Sequence, residues 1–159
     1  MTTSPTLARI KAAQEQAMRD KDQAARALLS TLFGEAVLIG KNAKNAAGEY
    51  EPRETTEAEV LKLTKDFVKK AEETATSFDK LGRAADAIAY RRQVEILRSF
   101  LPAAPTAAEL DAAIEAEVAK LTAPSMKDMK TVLEALAARF GDALDRQVAA
   151  PLVKSRLSR

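Results

Sequence analysis

The chain has 159 residues, of which 47% are hydrophobic and 30% charged, a balance typical of a folded protein rather than a disordered one. It has no cysteine and no histidine, which excludes disulfides, cysteine nucleophiles, Cys/His zinc sites and imidazole acid–base catalysis. Few glycines and many Ala, Leu, Lys, Glu and Arg residues favour helix. We predict an all-α protein, with a region of long helical hairpins followed by a compact three-helix unit.

The chain has no pattern typical of export or membrane insertion. Residues 1–20 lack the continuous apolar run that a signal peptide needs. The longest apolar run, residues 36–39, is too short to cross a bilayer. We therefore expect a cytoplasmic protein without a membrane partner.

Two helices are predicted before residue 41. The first starts after Ser4 and has Pro5 in its first turn, and its apolar stripe is Leu7, Ile10, Ala17 and Met18. The second is capped by Asp20 or Asp22 and stops at Gly40, and its apolar positions are Ala25, Leu28, Leu29, Leu32, Ala36 and Ile39. Residues 41–54 have no apolar period and predict a mobile loop.

Thr56 and Glu59 have the spacing of a capping box and open a third helix. Its predicted stripe is Val60, Leu63, Phe67, Thr74 and Phe78, and Gly82 ends it. A fourth helix follows over residues 84–100, with apolar positions Ala87, Tyr90, Val94, Leu97 and Leu101. Because Pro102 cannot continue a helix, we predict a boundary there between subdomains 1–101 and 102–159.

Three further helices are predicted after this boundary. Thr106 and Glu109 form a second capping box, which opens a helix with Leu110, Ile114, Val118 and Leu121. Residues 124–129 open the next helix, whose stripe is Met126, Met129, Leu133, Leu136, Ala137 and Phe140, and Gly141 ends it. In the last helix, which reaches Ser158, Pro151 is predicted to kink the helix or to reset its start.

Positive charge is concentrated at the C-terminal end of the chain. Residues 122–159 hold seven Lys and Arg against four Asp and Glu, a net charge of +3, whereas the whole chain carries only +2. Within the tail, Lys154, Arg156 and Arg159 have no acidic neighbour in the sequence. Such a bias is compatible with contact to a phosphate backbone, although a charged terminus is also an ordinary solubility device.

Two other groups of cations have two interpretations each. The lysines of the third helix are Lys62, Lys65, Lys69 and Lys70. They are compatible with contact to an RNA backbone, or with an exposed helix face on which Lys62 pairs with Asp66 and Lys69 with Glu73. Arg91, Arg92 and Arg98 lie beside Tyr90 and Phe100 in the sequence. They predict either a surface patch of guanidinium and aromatic groups, or exposed arginines next to aromatic side chains that pack in the core.

Met126 and Met129 also have two interpretations. As positions of a helical stripe they predict core packing, and as flexible thioethers they suit an adaptable binding groove. The sequence shows no glycine-rich phosphate loop and no carboxylate pair with a partner base. We therefore assign no catalytic, cofactor-binding or metal-binding residue, and we expect no cofactor.

Three ordered blocks resemble the GatB/YqeY-like family of small helical proteins. They are "AMRDKDQAARALLSTL" (residues 17–32), "SFDKLGRAADAIAYRRQVEILRSFLP" (residues 77–102) and "SMKDMKTVLEAL" (residues 125–136). The chain departs from the family pattern at three C-terminal positions. Lys130 and Arg146 stand where glycine is usual, and Pro151 falls in the final helix.

The C-terminal unit resembles the helical tail of the B subunit of the tRNA-dependent amidotransferase, a carbon–nitrogen ligase that uses glutamine as amido donor. The resemblance implies a freestanding, non-catalytic accessory in translation that contacts tRNA. Its expected partners are tRNA and an amidotransferase or aminoacyl-tRNA synthetase. The expected contact residues are Lys127, Lys130, Lys154 and Arg156.

Two alternatives remain. The chain suits a helical protein–protein interaction module that docks through apolar positions such as Phe33 or Leu38 and does not bind RNA. An amidotransferase that acts alone is disfavoured, because the chain has neither a cysteine nor a recognisable amidase Ser–Lys arrangement.

Overall fold

The computed structural model describes residues 4–158, with every side chain in that range except that of Asp142. Its α-helices in that range are α1 (Pro5–Arg19), α2 (Gln23–Lys41), α3 (Glu57–Lys80), α4 (Ala84–Arg98), α5 (Ala107–Ala119), α6 (Met129–Phe140) and α7 (Arg146–Leu157). Short 3₁₀ turns at Met126–Asp128 and Gly141–Ala143 precede and follow α6. Within the described range no strand forms, so the all-α prediction is confirmed.

Contacts between residues divide the chain into two compact units, Met1–Leu101 and Pro102–Arg159. In the first unit α1 and α2 form one antiparallel hairpin and α3 and α4 form another, and α3 also packs on α1 and α2. The core of this unit is mostly aliphatic, and its large members are Ile10, Leu29, Leu32, Val60, Val68, Val94, Leu97 and Phe100.

The helix starts are made by the predicted capping chemistry. The Ser4 hydroxyl accepts a hydrogen bond from Leu7 N at 3.1 Å, and Asp22, rather than Asp20, accepts one from Ala25 N at 3.0 Å. Reciprocal capping boxes form at Thr56 with Glu59 and at Thr106 with Glu109. Both predicted boxes are therefore confirmed.

Two carboxylates in the first turn of α3, those of Glu57 and Glu59, are held by hydrogen bonds or an ion pair. Glu59 pairs with Arg53 at 2.7 Å, and the hydrogen bond from this guanidinium, helped by bonds from Thr56, lowers the pKa of Glu59 from 4.5 to about 2. Burial alone would raise the pKa of Glu57, but hydrogen bonds from Ser4 and Thr6 outweigh it and lower that pKa. The Thr6 hydroxyl donates to Glu57 Oε1 at 2.5 Å, which ties α1 to α3.

The buried face of α3 is rotated from the predicted stripe. Leu63 and Phe67 pack only partly against the core. The buried positions are Val60, Leu61, Thr64, Val68, Ala71 and Ala75. Three of these buried positions, Thr64, Ala71 and Ala75, carry small side chains, which do not stand out in a pattern of large apolar residues. Met18, predicted as apolar stripe in α1, is 52% exposed.

Gly40 does not stop α2, which continues to Lys41. It is needed because residues 53–55 cross directly over it: a Cβ on Gly40 would lie 2.7 Å from Thr55 N and closer still to the Arg53 carbonyl oxygen. Arg53 N donates to Gly40 O at 3.0 Å, and the buried Thr55 hydroxyl donates to Ala36 O at 2.6 Å. The segment predicted as a mobile loop is irregular, but these bonds hold its end against α2.

The second unit packs α5, α6 and α7 around a core of its own. Its buried members are Leu110, Ala113, Ile114, Val132, Leu136, Leu144, Ala149, Val153 and Leu157. Pro151 lies inside α7, which begins five residues earlier at Arg146, so the predicted reset of the helix start is wrong. Pro151 faces solvent, while Ala149 and Val153 on the opposite side are buried, and that burial keeps the helix continuous.

Candidate nucleic-acid interface

Charge is separated within the second unit. Residues 106–121, which contain α5, carry four Asp and Glu against Lys120 alone, a net charge of −3. Residues 122–159, which contain α6 and α7, carry the net charge of +3 described above. The unit therefore has an acidic helix and two basic ones, although its total charge is zero.

Two of the carboxylates in the basic segment are used by helix caps. Asp128 accepts hydrogen bonds from Ser125 N at 2.9 Å and from the Ser125 hydroxyl at 3.1 Å. Asp145 caps α7 by accepting a hydrogen bond from Gln147 N at 2.8 Å. Neither carboxylate pairs with a lysine or arginine in the part of the chain that the structure describes.

Four exposed cations of this segment have no ion-pair or hydrogen-bond partner among residues 4–158. Arg139 lies over the ring of Phe140, 5.6 Å from its centroid, and the other three are Lys127, Arg146 and Lys154. Charges that no protein group neutralises attract an external polyanion most strongly, because binding need not break an existing ion pair.

The other two predicted RNA contacts are partnered. Lys130 lies 3.8 Å from Glu134, and both side chains are more than half exposed, so their attraction is weak. Arg156 is only 27% exposed and pairs with Glu115 of α5. Arg156 has no acidic neighbour in the sequence, but the fold brings it a partner that lies 41 residues away in the chain. Arg159 lies outside the described residues.

A shallow groove with a volume of about 430 Å³ runs along the start of α6. Its apolar lining is Met126, Met129 and Leu133, and its charged lining is Lys127, Lys130, Glu134 and Arg146. We call these seven residues the Met–Lys groove. Lys154 and Arg156 are not among them, so the groove collects two of the four predicted contacts and adds Arg146.

Met126 lies in the 3₁₀ turn before α6 and is 45% exposed, so its prediction as a core residue was wrong. The core position of this helix is filled instead by Val132, which the predicted stripe omitted. Met129 is half-buried and packs against the core of the second unit, as its place in the stripe predicted. Both methionines also line the groove, which fits the second interpretation.

Arg146 was not predicted as a contact, although the sequence carried a signal for it. It is the first residue of α7, directly after the capping Asp145, so the nearest carboxylate is occupied by the backbone. Lys130 and Arg146, two of the positions that depart from the family pattern, line the same groove.

The lysines of α3 do not form the predicted pairs. Among the described residues Lys62 and Lys69 have no ion pair with Asp66 or Glu73, and with Lys70 they are exposed. Lys65 is half-buried and has a partner. This face remains a second basic surface for comparison with the C-terminal one.

The arginines of α4 are occupied within the first unit. Arg91 pairs with Asp79, Arg92 with Asp22 and Arg98 with Glu72. The hydrogen bond from Arg92 lowers the pKa of Asp22.

The two aromatic side chains beside these arginines pack inside the first unit. Tyr90 is half-buried and stacks on Phe78 with a centroid separation of 5.5 Å, and Phe100 is buried beneath Arg9. These contacts confirm the core interpretation of the aromatic residues.

Residues 4–158 contain neither a candidate membrane span nor a candidate metal cluster. No helix there combines the length and the apolar character that a membrane-spanning segment needs. No group of three or more Asp and Glu side chains in that range is arranged to hold a metal ion.

Comparison with known proteins gives one assignment. The profile of the family described as "Yqey-like protein" matches residues 7–157, which is nearly the whole chain. No curated protein matches it. With its all-helical fold and a match that spans both units, the chain belongs to the YqeY-like family.

Proposed function

We propose that this YqeY-like protein is a non-catalytic accessory that contacts tRNA through its C-terminal unit, in association with a glutamine-dependent tRNA amidotransferase or an aminoacyl-tRNA synthetase. One observation carries the proposal: Lys127, Arg146 and Lys154 are exposed and have no partner among the described residues. Lys130, held only weakly by Glu134, adds a fourth cation and lines the same groove as Lys127 and Arg146.

The expected interaction is electrostatic and therefore depends on salt. A protein that neutralises three phosphates releases about three condensed counterions, and the logarithm of its affinity falls with log[salt] with a slope of roughly −2 to −3. Between 50 mM and 200 mM salt this slope corresponds to a loss of affinity of about 16- to 64-fold. Such a loss distinguishes phosphate contact from apolar docking.

The test is a titration of fluorescently labelled total tRNA with the pure protein at low and at physiological salt. The key variant replaces Lys127, Arg146 and Lys154 by Gln. The matched control removes the same charge from the exposed face of α3 by replacing Lys62, Lys69 and Lys70 by Gln. We expect the first variant to lose at least about tenfold in affinity and to have a flatter salt dependence, while the control binds like the wild type.

Unchanged affinity in the C-terminal variant would contradict the proposal. Equal losses in both variants would also contradict it, because binding would then follow total charge rather than this surface. Thermal unfolding of both variants shows whether either substitution set changes the fold.

The alternative is a protein–protein interaction module. In the first unit Leu38 is 52% exposed, and Leu81 and Ile88 are 71% and 65% exposed, whereas Phe33 is half-buried against the core. Of the two predicted docking residues, only Leu38 therefore offers most of its side chain to a partner. This alternative predicts no tRNA binding at either salt and association with a protein that salt does not weaken.

A further inference from the structure

The Met–Lys groove contains more than a phosphate contact requires. Phosphate oxygens interact with cations and N–H groups, and three cations line this groove. The thioethers of Met126 and Met129 and the side chain of Leu133 offer nothing to a phosphate. Met126 is 45% exposed, and Met129 and Leu133 are half-buried against the core. A ligand that covers their remaining apolar surface removes it from water, which lowers the free energy.

The composition of the groove fits a ligand that is both flat and anionic. Lys127 and Lys130 are one helical turn apart at the start of α6, and Arg146 approaches from the start of α7, so cations from two elements border one apolar floor. Thioether sulfur makes favourable contacts with aromatic rings, and methionine adapts to rings of different shape. The volume of about 430 Å³ lies in the range of small-molecule sites.

Because of Glu134, phosphates cannot occupy the whole length of the groove. Its carboxylate lies one turn beyond Lys130 on the same face of α6, at the end away from Lys127. A carboxylate repels a phosphate but accepts hydrogen bonds from the exocyclic amine of a base or from a ribose 2′-hydroxyl.

We propose that the Met–Lys groove holds one unpaired nucleotide of RNA, with its base on Met126, Met129 and Leu133 and its flanking phosphates on Lys127, Lys130 and Arg146. The inference rests on the proposed function, because it specifies which part of an RNA the same surface takes. A base inside an A-form duplex is paired and stacked, so its face is not available to the floor. The C-terminal unit therefore selects single-stranded segments such as loops or ends.

The test compares three labelled oligoribonucleotides with the same number of phosphates per strand, using the full chain. One is an unstructured single strand, one is the same strand annealed to its complement, and one is a ribose–phosphate strand without bases. We expect the single strand to bind about fivefold more tightly than the abasic strand, a difference in affinity of the size that one sulfur–aromatic contact provides. We also expect it to bind more tightly than the duplex.

Single substitutions distinguish the contribution of the apolar floor from that of the cations that border it. Met126→Gln keeps the length of an exposed side chain but removes its thioether. We expect it to lower affinity for the single strand toward the abasic level, with part of the preference retained through Met129 and Leu133, while abasic binding is unchanged. Lys127→Gln should weaken binding of both strands. Val148→Gln is the matched control, because Val148 is 55% exposed in the same unit and does not line the groove.

The outcomes distinguish this inference from the proposed function. Equal binding of the single and abasic strands, or tighter binding of the duplex, overturns the nucleotide site but leaves phosphate contact standing. Equal losses from Met126→Gln and Val148→Gln also overturn it. If no RNA binds and a helical peptide rich in Asp and Glu binds instead, both proposals fail and the groove docks protein.

Discussion

The guanidinium of Arg156 in α7 is paired with the carboxylate of Glu115 in α5. Two residues earlier on the same helix, Lys154 is exposed and has no partner within residues 4–158. The two side chains look equivalent in the sequence, but one links two helices of the C-terminal unit and the other is available to a ligand. This difference gives a direct test of the proposed RNA contacts.

We expect Lys154→Gln to weaken tRNA binding about threefold to tenfold without changing stability, since it removes a cation that no protein group neutralises. We expect Arg156→Gln to change binding less and to lower the free energy of unfolding by about 0.5–1 kcal/mol, the range of a partly exposed ion pair. Fluorescence titration and thermal unfolding measured on both proteins check this assignment. A larger loss of affinity from Arg156→Gln would mean that the pair opens to receive RNA.

We expect Gly40→Ala to lower the stability of the first unit by about 2–3 kcal/mol, because the added methyl group meets the backbone of residues 53–55, which cannot rotate away as a side chain can. Tyrosine fluorescence during denaturant unfolding measures this effect selectively. Both tyrosines, Tyr50 and Tyr90, lie in the first unit, and the chain has no tryptophan.

Gly34→Ala is the matched control for Gly40→Ala. It makes the same change in the same helix, but nothing lies within 4 Å of the added Cβ. We expect it to raise stability by about 0.5–1 kcal/mol, because alanine is the better helix former. Losses of equal size in both variants would show that residues 53–55 do not press on α2 in solution.

Glu59 should make the first unit sensitive to acid. Its pKa is about 2 in the folded protein and 4.5 as its ordinary value, so the unfolded chain takes up the proton first as pH falls. The stability that Glu59 contributes is therefore complete above pH 4.5 and is lost progressively as pH falls toward 2. We expect Glu59→Gln to be less stable than the wild type at pH 7, by about 1 kcal/mol, and the difference to shrink over that interval.

Tyrosine fluorescence recorded against denaturant at a series of pH values measures the effect of Glu59. Glu73→Gln serves as the control, because Glu73 is exposed on the same helix and its carboxylate has no partner among the described residues. A wild-type curve parallel to that of Glu59→Gln at every pH would show that the pair with Arg53 does not form in solution.

The C-terminal unit, residues 102–159, is expected to fold alone. Its buried cluster lies wholly within those residues, and no buried residue of the other cluster belongs to it. A domain of about 60 residues without disulfides is marginal, so we expect a cooperative but low thermal transition by circular dichroism. A fragment that shows no cooperative transition would contradict the predicted division into two subdomains.

The sequence was a good guide wherever the relevant physics is local. Capping needs a hydroxyl or carboxylate three residues from a backbone N–H, and the boxes at Thr56 and Thr106 appear where that spacing predicted them. The fourth helix also ends before Pro102, at Arg98, as the inability of proline to continue a helix predicted. The all-α class follows from many such local preferences that agree.

Small residues show where local reasoning was insufficient. Thr64, Ala71 and Ala75 lie at the centre of the buried face of α3, although their side chains are too small to stand out in an apolar pattern. Gly40 was interpreted as a helix stop, but the chain segment that requires glycine there is 13 to 15 residues away. Packing between distant segments determines such positions, and a sequence window does not contain it.

The sequence by itself determined the helical class, the helix caps, the excess of positive charge at the C-terminal end and the family resemblance that the profile match confirms. Only the tertiary structure decided which of those charges are available. Glu115 reaches Arg156 across the bundle, while helix caps occupy Asp128 and Asp145 and leave Lys127 and Arg146 without a carboxylate partner within residues 4–158. The reason is physical: charge belongs to a residue, but neutralisation depends on distance, and folding sets the distances.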